Sequence, residues 1–286
     1  QTADLGRRGF EGWLGRYLEG IAGEQDAFHS LVIDNKLPKA LFTNKVSVPL
    51  VQSVEKYSLG SDAYLSGHAK SKRTQALLDL YSSSGSAPFS AVLDKTFGSA
   101  LTSTEQIKKA HEAYVPAVDY GDTKLAQRLR IVAEAIDANI GLRVAHVRIG
   151  GFDTHASQIP EHADLLTRTA DAIKLFYRDL QAHGNDQDVV IMTWSEFGRR
   201  VKANASGGTD HGSAGPMFLA GSPVAGGFYG QRSNLNDLQK NNLKFTTDFR
   251  QVYASVLEGW LGAPAEIVLG GRFESLPMFK AAAVAA

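Results

Sequence analysis

The side chains best suited to chemistry lie in three short polar clusters in the second half of the chain. Asp153 and His155 stand two residues apart after an apolar run, Glu196 follows a second apolar run, and Asp210 and His211 follow a glycine-rich loop. Magnesium and calcium favour carboxylate oxygens, whereas zinc and iron also accept imidazole nitrogens. This set of side chains therefore predicts a metal centre with mixed oxygen and nitrogen ligands.

Each cluster, taken alone, also has an ordinary structural explanation. Asp153 and His155 point to one side of an extended segment, but Asp153 could cap the following turn while His155 makes a local hydrogen bond. Glu196 could pair with Arg199 or Arg200, and the third cluster could be a polar loop. A metal centre is favoured because all three clusters adjoin strand-like runs, and α/β folds build their sites beyond strand ends.

Two apolar runs and a helix between them should place the first two clusters together. Val144–Ile149 and Val189–Trp194 have the composition of buried strands, and apolar residues at helical spacing cover 160–183. A strand, a crossover helix and a second strand of this length form a βαβ unit with parallel strands. Both polar clusters would then leave the sheet at the same edge.

The same patterns predict an α/β fold with a mainly parallel sheet sandwiched by helices. Met217–Ala220 is a third predicted strand, and further helices are predicted near 123–140 and 248–261. Residues 58–119 are mostly helical with polar interruptions, which indicates a helical cap or insertion. We interpret residues 1–286 as a single α/β domain that contains this insertion.

Shorter patterns in the first half of the chain predict local structure only. Apolar side chains at helical spacing predict an amphipathic helix over Arg8–Gly20, and Phe28–Ile33 is a β-rich run. The isolated His68 and His111 are flanked by lysines, so we interpret them as solvated surface residues. We predict no catalytic or metal-binding residues in this half of the sequence.

The composition excludes several classes of function. Lys and Arg number 30, as do Asp and Glu, so no net field attracts nucleic acid or an anionic membrane. The chain has no cysteine, which removes disulfides, thiolate nucleophiles and cysteine-bound zinc. No apolar run reaches the roughly eighteen residues of a membrane span, and none is predicted.

Five motifs follow one another in a fixed order. They are Gly150–His155, Ser195–Arg199, Gly208–Gly212, Gly226–Gly230 and Thr247–Tyr253. Together they resemble the bacterial "domain of unknown function 1501" family. That family looks related to the alkaline phosphatase and sulfatase superfamily, whose members hold one or two divalent metals at strand ends and hydrolyse phosphate or sulfate esters.

The resemblance implies a ligand set and a cofactor. The implied metal ligands are Asp153, His155, Glu196 and His211. The implied cofactor is a divalent ion, which could be zinc, manganese, calcium or magnesium. Arg199 would neutralise charge that develops on the substrate, and Asp210 would be an alternative ligand or the acceptor that orients an imidazole.

Two departures from the superfamily pattern shape further expectations. Phe197 stands where a histidine would hold a second metal, which argues against a two-metal centre. The family's N-terminal portion, with a twin-arginine export signal and a first strand, is not recognised in this sequence, and in the superfamily that portion supplies the nucleophile.

We therefore expect an extracytoplasmic domain that lacks its N-terminal part. Its nucleophile would lie elsewhere, and a missing segment or partner chain would cover an exposed sheet edge.

Two functions of different class are compatible with these motifs. The first is a metal-dependent hydrolase that acts on small phosphate or sulfate esters. The alternative is a catalytically degenerate envelope or surface protein that keeps the fold and one structural metal. If a metal binds, at least three of the four ligands should have oxygen or nitrogen atoms within roughly 5 Å of a common point.

Overall fold

The computed structural model of the protein describes residues 11–23, 28–54, 57, 67–82 and 90–281. Some sequence predictions lie outside these residues. They are the beginning of the first helix at 8–10 and residues 58–66 and 83–89 of the predicted cap.

Helices and short strands alternate along the described residues. The helices are α1 (Trp13–Ile21), α2 (Gly67–Ser82), α3 (Ser90–Ala113), α4 (Lys124–Asp137), α5 (Gln158–His183), α6 (Phe249–Gly259) and α7 (Ala265–Leu269). The strands are β1 (Ser30–Ile33), β2 (Val144–Val147), β3 (Ile191–Met192), β4 (Gly198–Arg199), β5 (His211–Gly212), β6 (Leu219–Ala220), β7 (Leu238–Gln239) and β8 (Asn242–Leu243). The predicted mixture of helix and strand is confirmed. Within this part of the chain, no helix is long and apolar enough to span a bilayer.

The chain divides into two compact units. The first comprises Gln1–Pro116 and Gln127–Arg148, and the second comprises Ala117–Ala126 and Ile149–Ala286. Helices α2 and α3 belong to the first unit, so the predicted helical stretch is helical where it is described. Its role as a cap stays a prediction, as does the single domain over 1–286.

The first unit is built around a parallel pair of strands. β1 and β2 pair over four residues, with Ser30 facing Val144 and Ile33 facing Val147. All four β1 residues are buried, because a Ser-Leu-Val-Ile run is apolar enough for a strand covered on both faces. The other edge of β1 bonds the segment around Leu50: Val32 N–H donates to Pro49 O at 2.9 Å, and Val51 N–H donates to Val32 O at 2.8 Å.

Glu134 on α4 gives His111 a structural role that its sequence context did not indicate. The Glu134 side chain is only 2% exposed, and its oxygens lie 2.9 Å from His111 Nδ1 and 2.9 Å from Arg130 Nε. An isolated buried carboxylate would be costly, so these two partners compensate its burial. His111 is therefore not simply a solvated surface residue. The side chain of His68 lies outside the described part.

An interrupted antiparallel hairpin, residues 191–220, dominates the middle of the second unit. β3 pairs with β6 and β4 pairs with β5, along the same two chain segments. The facing residues are Ile191 and Ala220, Met192 and Leu219, Gly198 and Gly212, and Arg199 and His211. Residues 200–210 form the tip of this hairpin, which we call the tip loop.

The hairpin corrects the prediction of a mainly parallel sheet. The predicted strands Val189–Trp194 and Met217–Ala220 contain β3 and β6, but these pair antiparallel. The predicted strand Val144–Ile149 contains β2, whose partner is β1. The physical reason is the connection between β4 and β5, which is a glycine-containing loop without the helix that a parallel crossover needs. In the described residues the only parallel ladder has two strands.

Helix α5 follows the first polar cluster and is held by a buried carboxylate. Asp179 is fully buried. Its Oδ1 accepts from Ala117 N–H at 2.7 Å, and its Oδ2 accepts from the Tyr120 hydroxyl at 2.8 Å. These bonds tie the segment before α4 to the helix. Leu165, Phe176 and Leu180 supply the buried apolar stripe of α5, as the helical spacing predicted.

Helix α6 begins at a capping box and contributes buried side chains to the core of the second unit. Asp248 accepts from Arg250 N–H at 2.9 Å, and Gln251 Oε1 accepts from Asp248 N–H at 3.3 Å. The Arg250 guanidinium also bonds both Asp248 oxygens. The helix buries Val252, Tyr253 and Leu257, and burial raises the pKa of Tyr253 to about 12.

The cap of α6 should make a measurable, pH-dependent contribution to stability. Asp248→Ala is expected to lower the free energy of unfolding by about 1 kcal/mol at neutral pH. Hydrogen bonds from Arg250 lower the pKa of Asp248 below its ordinary value of 3.8. The contribution is therefore fully present above that value and is lost as the pH falls through the folded-state pKa. Urea unfolding should show the difference from wild type shrinking below roughly pH 4.

Asp237→Ala is the matched control, because Asp237 forms an exposed pair with Lys244. Its effect should stay within about 0.5 kcal/mol. Equal effects of the two substitutions, or an Asp248→Ala effect that does not change with pH, would contradict the capping role.

Candidate metal centre

Two backbone segments of the second unit carry the candidate ligands. The first runs from Gly150 to Ser157 and leads into α5, with Asp153 and His155 in its middle. The second is the hairpin, where His211 lies on β5 at the end of the tip loop. An isolated bridge pairs Ala156 with Gly207, so the tip loop lies against the first segment.

Arg199 joins the two segments through their backbones. Its guanidinium donates from Nη2 to the carbonyl of Phe152 and from Nη1 to the carbonyl of Thr209. Phe152 directly precedes Asp153, and Thr209 lies two residues before His211. The Arg199 side chain is only 19% exposed, which favours strong, well-oriented hydrogen bonds. One side chain therefore fixes both ligand-bearing segments.

A second set of contacts holds the tip loop against His155. The Asn204 side chain accepts from Ser206 N–H and Gly208 N–H, and it donates to His155 O at 2.9 Å. Gly208 lies so close to the His155 backbone that a Cβ added there would sit 2.2 Å from the His155 carbonyl carbon. Only glycine fits at this contact.

Three ligand atoms meet between these segments. Asp153 Oδ1 lies 2.7 Å from His211 Nε2 and 3.0 Å from His155 Nε2. One ligand atom from each of Asp153, His155 and His211 falls within 4.8 Å of the others, and all three residues are exposed. The arrangement is a half-open group of one carboxylate and two imidazoles that solvent and small molecules can reach.

Asp210 lies on the far side of the His155 ring. Its Oδ1 is 3.5 Å from His155 Nδ1 and accepts from Asn204 Nδ2 at 3.2 Å. The hydrogen bond from Asn204, followed by the His155 and Arg200 contributions, lowers the pKa of Asp210 below its ordinary value. Asp210 therefore has the position of an acceptor that orients an imidazole.

Neighbouring positive groups keep Asp153 ionised. The hydrogen bond with His211 is the largest cause, and the charges of His211, His155 and Arg199 add to it, so the pKa of Asp153 lies below its ordinary value. Arg199 Nη2 approaches Asp153 Oδ1 to 3.4 Å. A carboxylate is thus available at neutral pH, as metal binding requires.

Phe197 covers one face of His211. The two rings stack with centroids 3.8 Å apart and an interplanar angle of 8°. The Arg199 guanidinium carbon lies 5.0 Å from the centroid of the same phenyl ring. The stack restricts rotation of the His211 imidazole and keeps its Nε2 directed at Asp153.

The structure brings together three of the four predicted ligands. Glu196 is exposed and lies outside the group formed by Asp153, His155 and His211. The residue after it, Phe197, is the one that contacts His211. A ligand role for Glu196 stays a prediction, as does the charge-neutralising role of Arg199, whose guanidinium bonds two backbone carbonyls.

Asn204 is the site residue that the sequence analysis missed. Its side chain contacts both His155 and Asp210, yet it lies in a loop without a metal-ligand type. The available signal was local: an Asn placed two to four residues before small residues favours side-chain to backbone bonds that close a turn. Nothing in that signal indicates which distant segment the amide reaches.

The contacts of Arg199 predict a large effect of its removal. Arg199→Ala should lower the free energy of unfolding by about 2–4 kcal/mol, because the carbonyls of two half-buried residues, Phe152 and Thr209, lose a charged donor. Arg199→Lys should lose less than Arg199→Ala, because it keeps a charged donor. It should still be less stable than wild type, since an ammonium group cannot reproduce the planar fork that reaches both carbonyls.

Urea unfolding measures both effects, with the exposed Arg232→Ala as control. The control should stay within about 0.5 kcal/mol of wild type. If Arg199→Ala behaves like that control, the two segments are not held by this side chain.

Comparison with known proteins identifies the family of this chain. No curated protein matches the sequence, and no solved structure does either. A family model described as "Protein of unknown function (DUF1501)" matches residues 1–262, which is most of the 286-residue chain. The match confirms the family that the five ordered motifs resemble. The chain belongs to the DUF1501 family of proteins.

Proposed function

We propose that the protein binds one divalent metal ion at Asp153, His155 and His211 and acts as a metal-dependent hydrolase of phosphate or sulfate esters. The observation that carries the proposal is the group of three ligand atoms within 4.8 Å of one another. Ligand atoms on one ion lie about 3 Å apart, so small rotations of these side chains suffice to admit an ion.

The donor set favours a transition metal over calcium or magnesium. Two imidazole nitrogens and one carboxylate oxygen suit zinc, manganese or iron, whereas calcium and magnesium prefer oxygen ligands throughout. Three protein ligands also leave a coordination position open, as catalytic zinc sites do. The half-exposed position of the group would let water and substrate reach it.

The surroundings of His155 support a metal on its Nε2 side. This ring lies between two carboxylates, with Nε2 3.0 Å from Asp153 and Nδ1 3.5 Å from Asp210. A neutral imidazole has one N–H and one lone pair, so it cannot donate to both. With the proton on Nδ1 facing Asp210, the Nε2 lone pair is available to a cation beside Asp153.

The surrounding residues would each have a defined role in such a site. A bound divalent ion would supply Lewis acidity and lower the pKa of a bound water. Arg199 holds the two ligand-bearing segments, and Phe197 fixes the His211 ring. The hydroxyl of Thr154, which lies between Asp153 and His155 in sequence, is buried, so it is not the proposed nucleophile. Bound water would take that role, or a group from a segment that the structure does not describe.

The relation to the alkaline phosphatase and sulfatase superfamily is part of this proposal, and so is an extracytoplasmic location. Both rest on the motif resemblance. The strand-adjacent Asp and His ligands support the relation, but the hairpin supplies His211 by an antiparallel pairing rather than from a parallel strand end. A missing N-terminal segment or partner chain that completes the site also stays a prediction.

A non-catalytic envelope or surface protein is the second candidate. The observation that favours it is the use of the Arg199 guanidinium by two backbone carbonyls, which leaves this cation less available to a substrate anion. In that case the same three ligands would hold a structural metal. Metal binding would then occur without ester hydrolysis.

Metal binding should depend on the three clustered residues and not on nearby ones. We expect wild type to bind one zinc or manganese ion per chain, measured by calorimetry after removal of metal. His211→Ala should weaken binding by more than about 100-fold, because even loss of an outer partner costs 10–100-fold. Asp153→Asn should act in the same direction.

Two matched controls accompany this titration. His162→Ala removes a histidine that contacts Phe152 rather than the ligands, and Glu196→Gln removes the predicted ligand that lies outside the group. Neither should change the affinity. Loss of binding in Glu196→Gln would restore Glu196 as a ligand, and binding unaffected by His211→Ala would overturn the proposed centre.

Ester hydrolysis separates the two candidate functions. Metal-loaded wild type should release nitrophenol from nitrophenyl phosphate or nitrophenyl sulfate, and the metal-free protein and His211→Ala should not. Comparing the two esters identifies the preferred class. Stoichiometric metal binding with no turnover of either ester would favour the non-catalytic role.

A further inference from the structure

We propose that Asn204 is a positioning residue of the metal centre, which sets the direction of the His155 imidazole through Asp210. This inference deepens the proposed function and rests on it for the identity of the bound ion. The contacts that carry it are those of one side-chain amide, which uses both its oxygen and its nitrogen within the site.

The oxygen of the amide closes the tip loop. Asn204 Oδ1 accepts from Ser206 N–H at 3.0 Å and from Gly208 N–H at 3.1 Å. The backbone of the same residue adds a bond, since Asn204 N–H donates to Gly208 O at 2.8 Å. These bonds fix the plane of the amide, because its oxygen must face two backbone N–H groups.

The nitrogen of the amide then faces His155 and Asp210. Asn204 Nδ2 donates to His155 O at 2.9 Å and to Asp210 Oδ1 at 3.2 Å. The two hydrogens of this group therefore serve one acceptor in the backbone of His155 and one acceptor beside its ring. A single side chain holds both the main chain of the ligand and its carboxylate neighbour.

The consequence concerns which imidazole nitrogen is available to the ion. Asp210 Oδ1 is the atom that lies 3.5 Å from His155 Nδ1. With Asp210 held by Asn204, Nδ1 faces a carboxylate that can accept its proton, and Nε2 faces Asp153 and the ion. Releasing Asp210 would let the ring turn or change tautomer.

The Asn204→Asp substitution can separate the two parts of this role, which are the closing of the tip loop by the amide oxygen and the holding of Asp210 by the amide nitrogen. In Asn204→Asp, one carboxylate oxygen can still accept from Ser206 and Gly208, so the tip loop should stay closed. The other oxygen cannot donate, and its charge repels Asp210. Asn204→Ala removes both parts. A merely structural loop residue would be rescued by aspartate, whereas the positioning role would not.

Crystal structures of the metal-free variants test the role without requiring a metal. In both Asn204→Asp and Asn204→Ala, the His155 ring should leave its position beside Asp210. The control is Asn234→Ala, because Asn234 accepts from Asn236 N–H in a different loop, and the His155 ring there should match wild type. An unchanged His155 ring in both position-204 variants would overturn the proposal.

Zinc titration adds the functional readout. Asn204→Ala should weaken zinc binding about 10–100-fold, as loss of an outer partner typically does. Asp210→Asn should have a similar effect. Combining it with Asn204→Asp, which keeps the tip loop closed, should lose little more than either change alone, because Asn204 acts on the ring through Asp210. Additive losses would overturn this route. Wild type that binds no zinc would instead refute the proposed function, while the ring position in the metal-free structures still decides the role of Asn204.

Discussion

The candidate centre depends on the guanidinium group of Arg199. This group aligns the two segments that carry the ligands, which a shared parallel sheet was predicted to do. Arg199 donates to the carbonyl before Asp153 and to a carbonyl two residues before His211, so the two segments are joined at the points where their ligands leave the backbone. The antiparallel pairing of Arg199 with His211 adds a second constraint from the main chain. The Ala156–Gly207 bridge and the bond from Asn204 to His155 O also hold the tip loop against this segment, but Arg199 is the side chain that bonds the residue directly before Asp153.

The same residue also explains how so many polar groups coexist in a small volume. Two imidazoles and one guanidinium surround a single carboxylate oxygen of Asp153, and this lowers the pKa of Asp153. Arg199 shares its charge with two carbonyl dipoles, which reduces its competition with a metal ion for Asp153. Asp210 then balances the other side of His155, so the cluster alternates acceptor and donor groups instead of accumulating one sign of charge.

The sequence predicted the helices well and the sheet poorly. Apolar periodicity placed α4, α5 and α6 near their observed bounds because each buries one continuous stripe. Strands of two residues, such as β3 and β6, leave too short a pattern to show whether their partner is parallel or antiparallel. The prediction of parallel strands came from the helix α5 between β2 and β3, yet these strands pair with other partners in separate units.

The sequence predicted the candidate ligands in part, but the structure brings them together by a different means from the predicted one. The types and spacing of Asp153, His155 and His211 indicated a metal centre, but a shared parallel edge is not what joins them. Glu196 was predicted from its place after a strand, whereas the hairpin presents Phe197 to His211 instead. Asn204 and the joining role of Arg199 depend on contacts between residues about fifty positions apart, which no local pattern in one sequence encodes.

Anomalous diffraction from a crystal soaked in a zinc salt tests the central claim most directly. We expect one strong peak about 2.0–2.2 Å from Nε2 of His155, Nε2 of His211 and a carboxylate oxygen of Asp153. The peak should be absent in His211→Ala crystals treated in the same way. A zinc ion bound elsewhere, with Asp153 still contacting both imidazoles directly, would contradict the account.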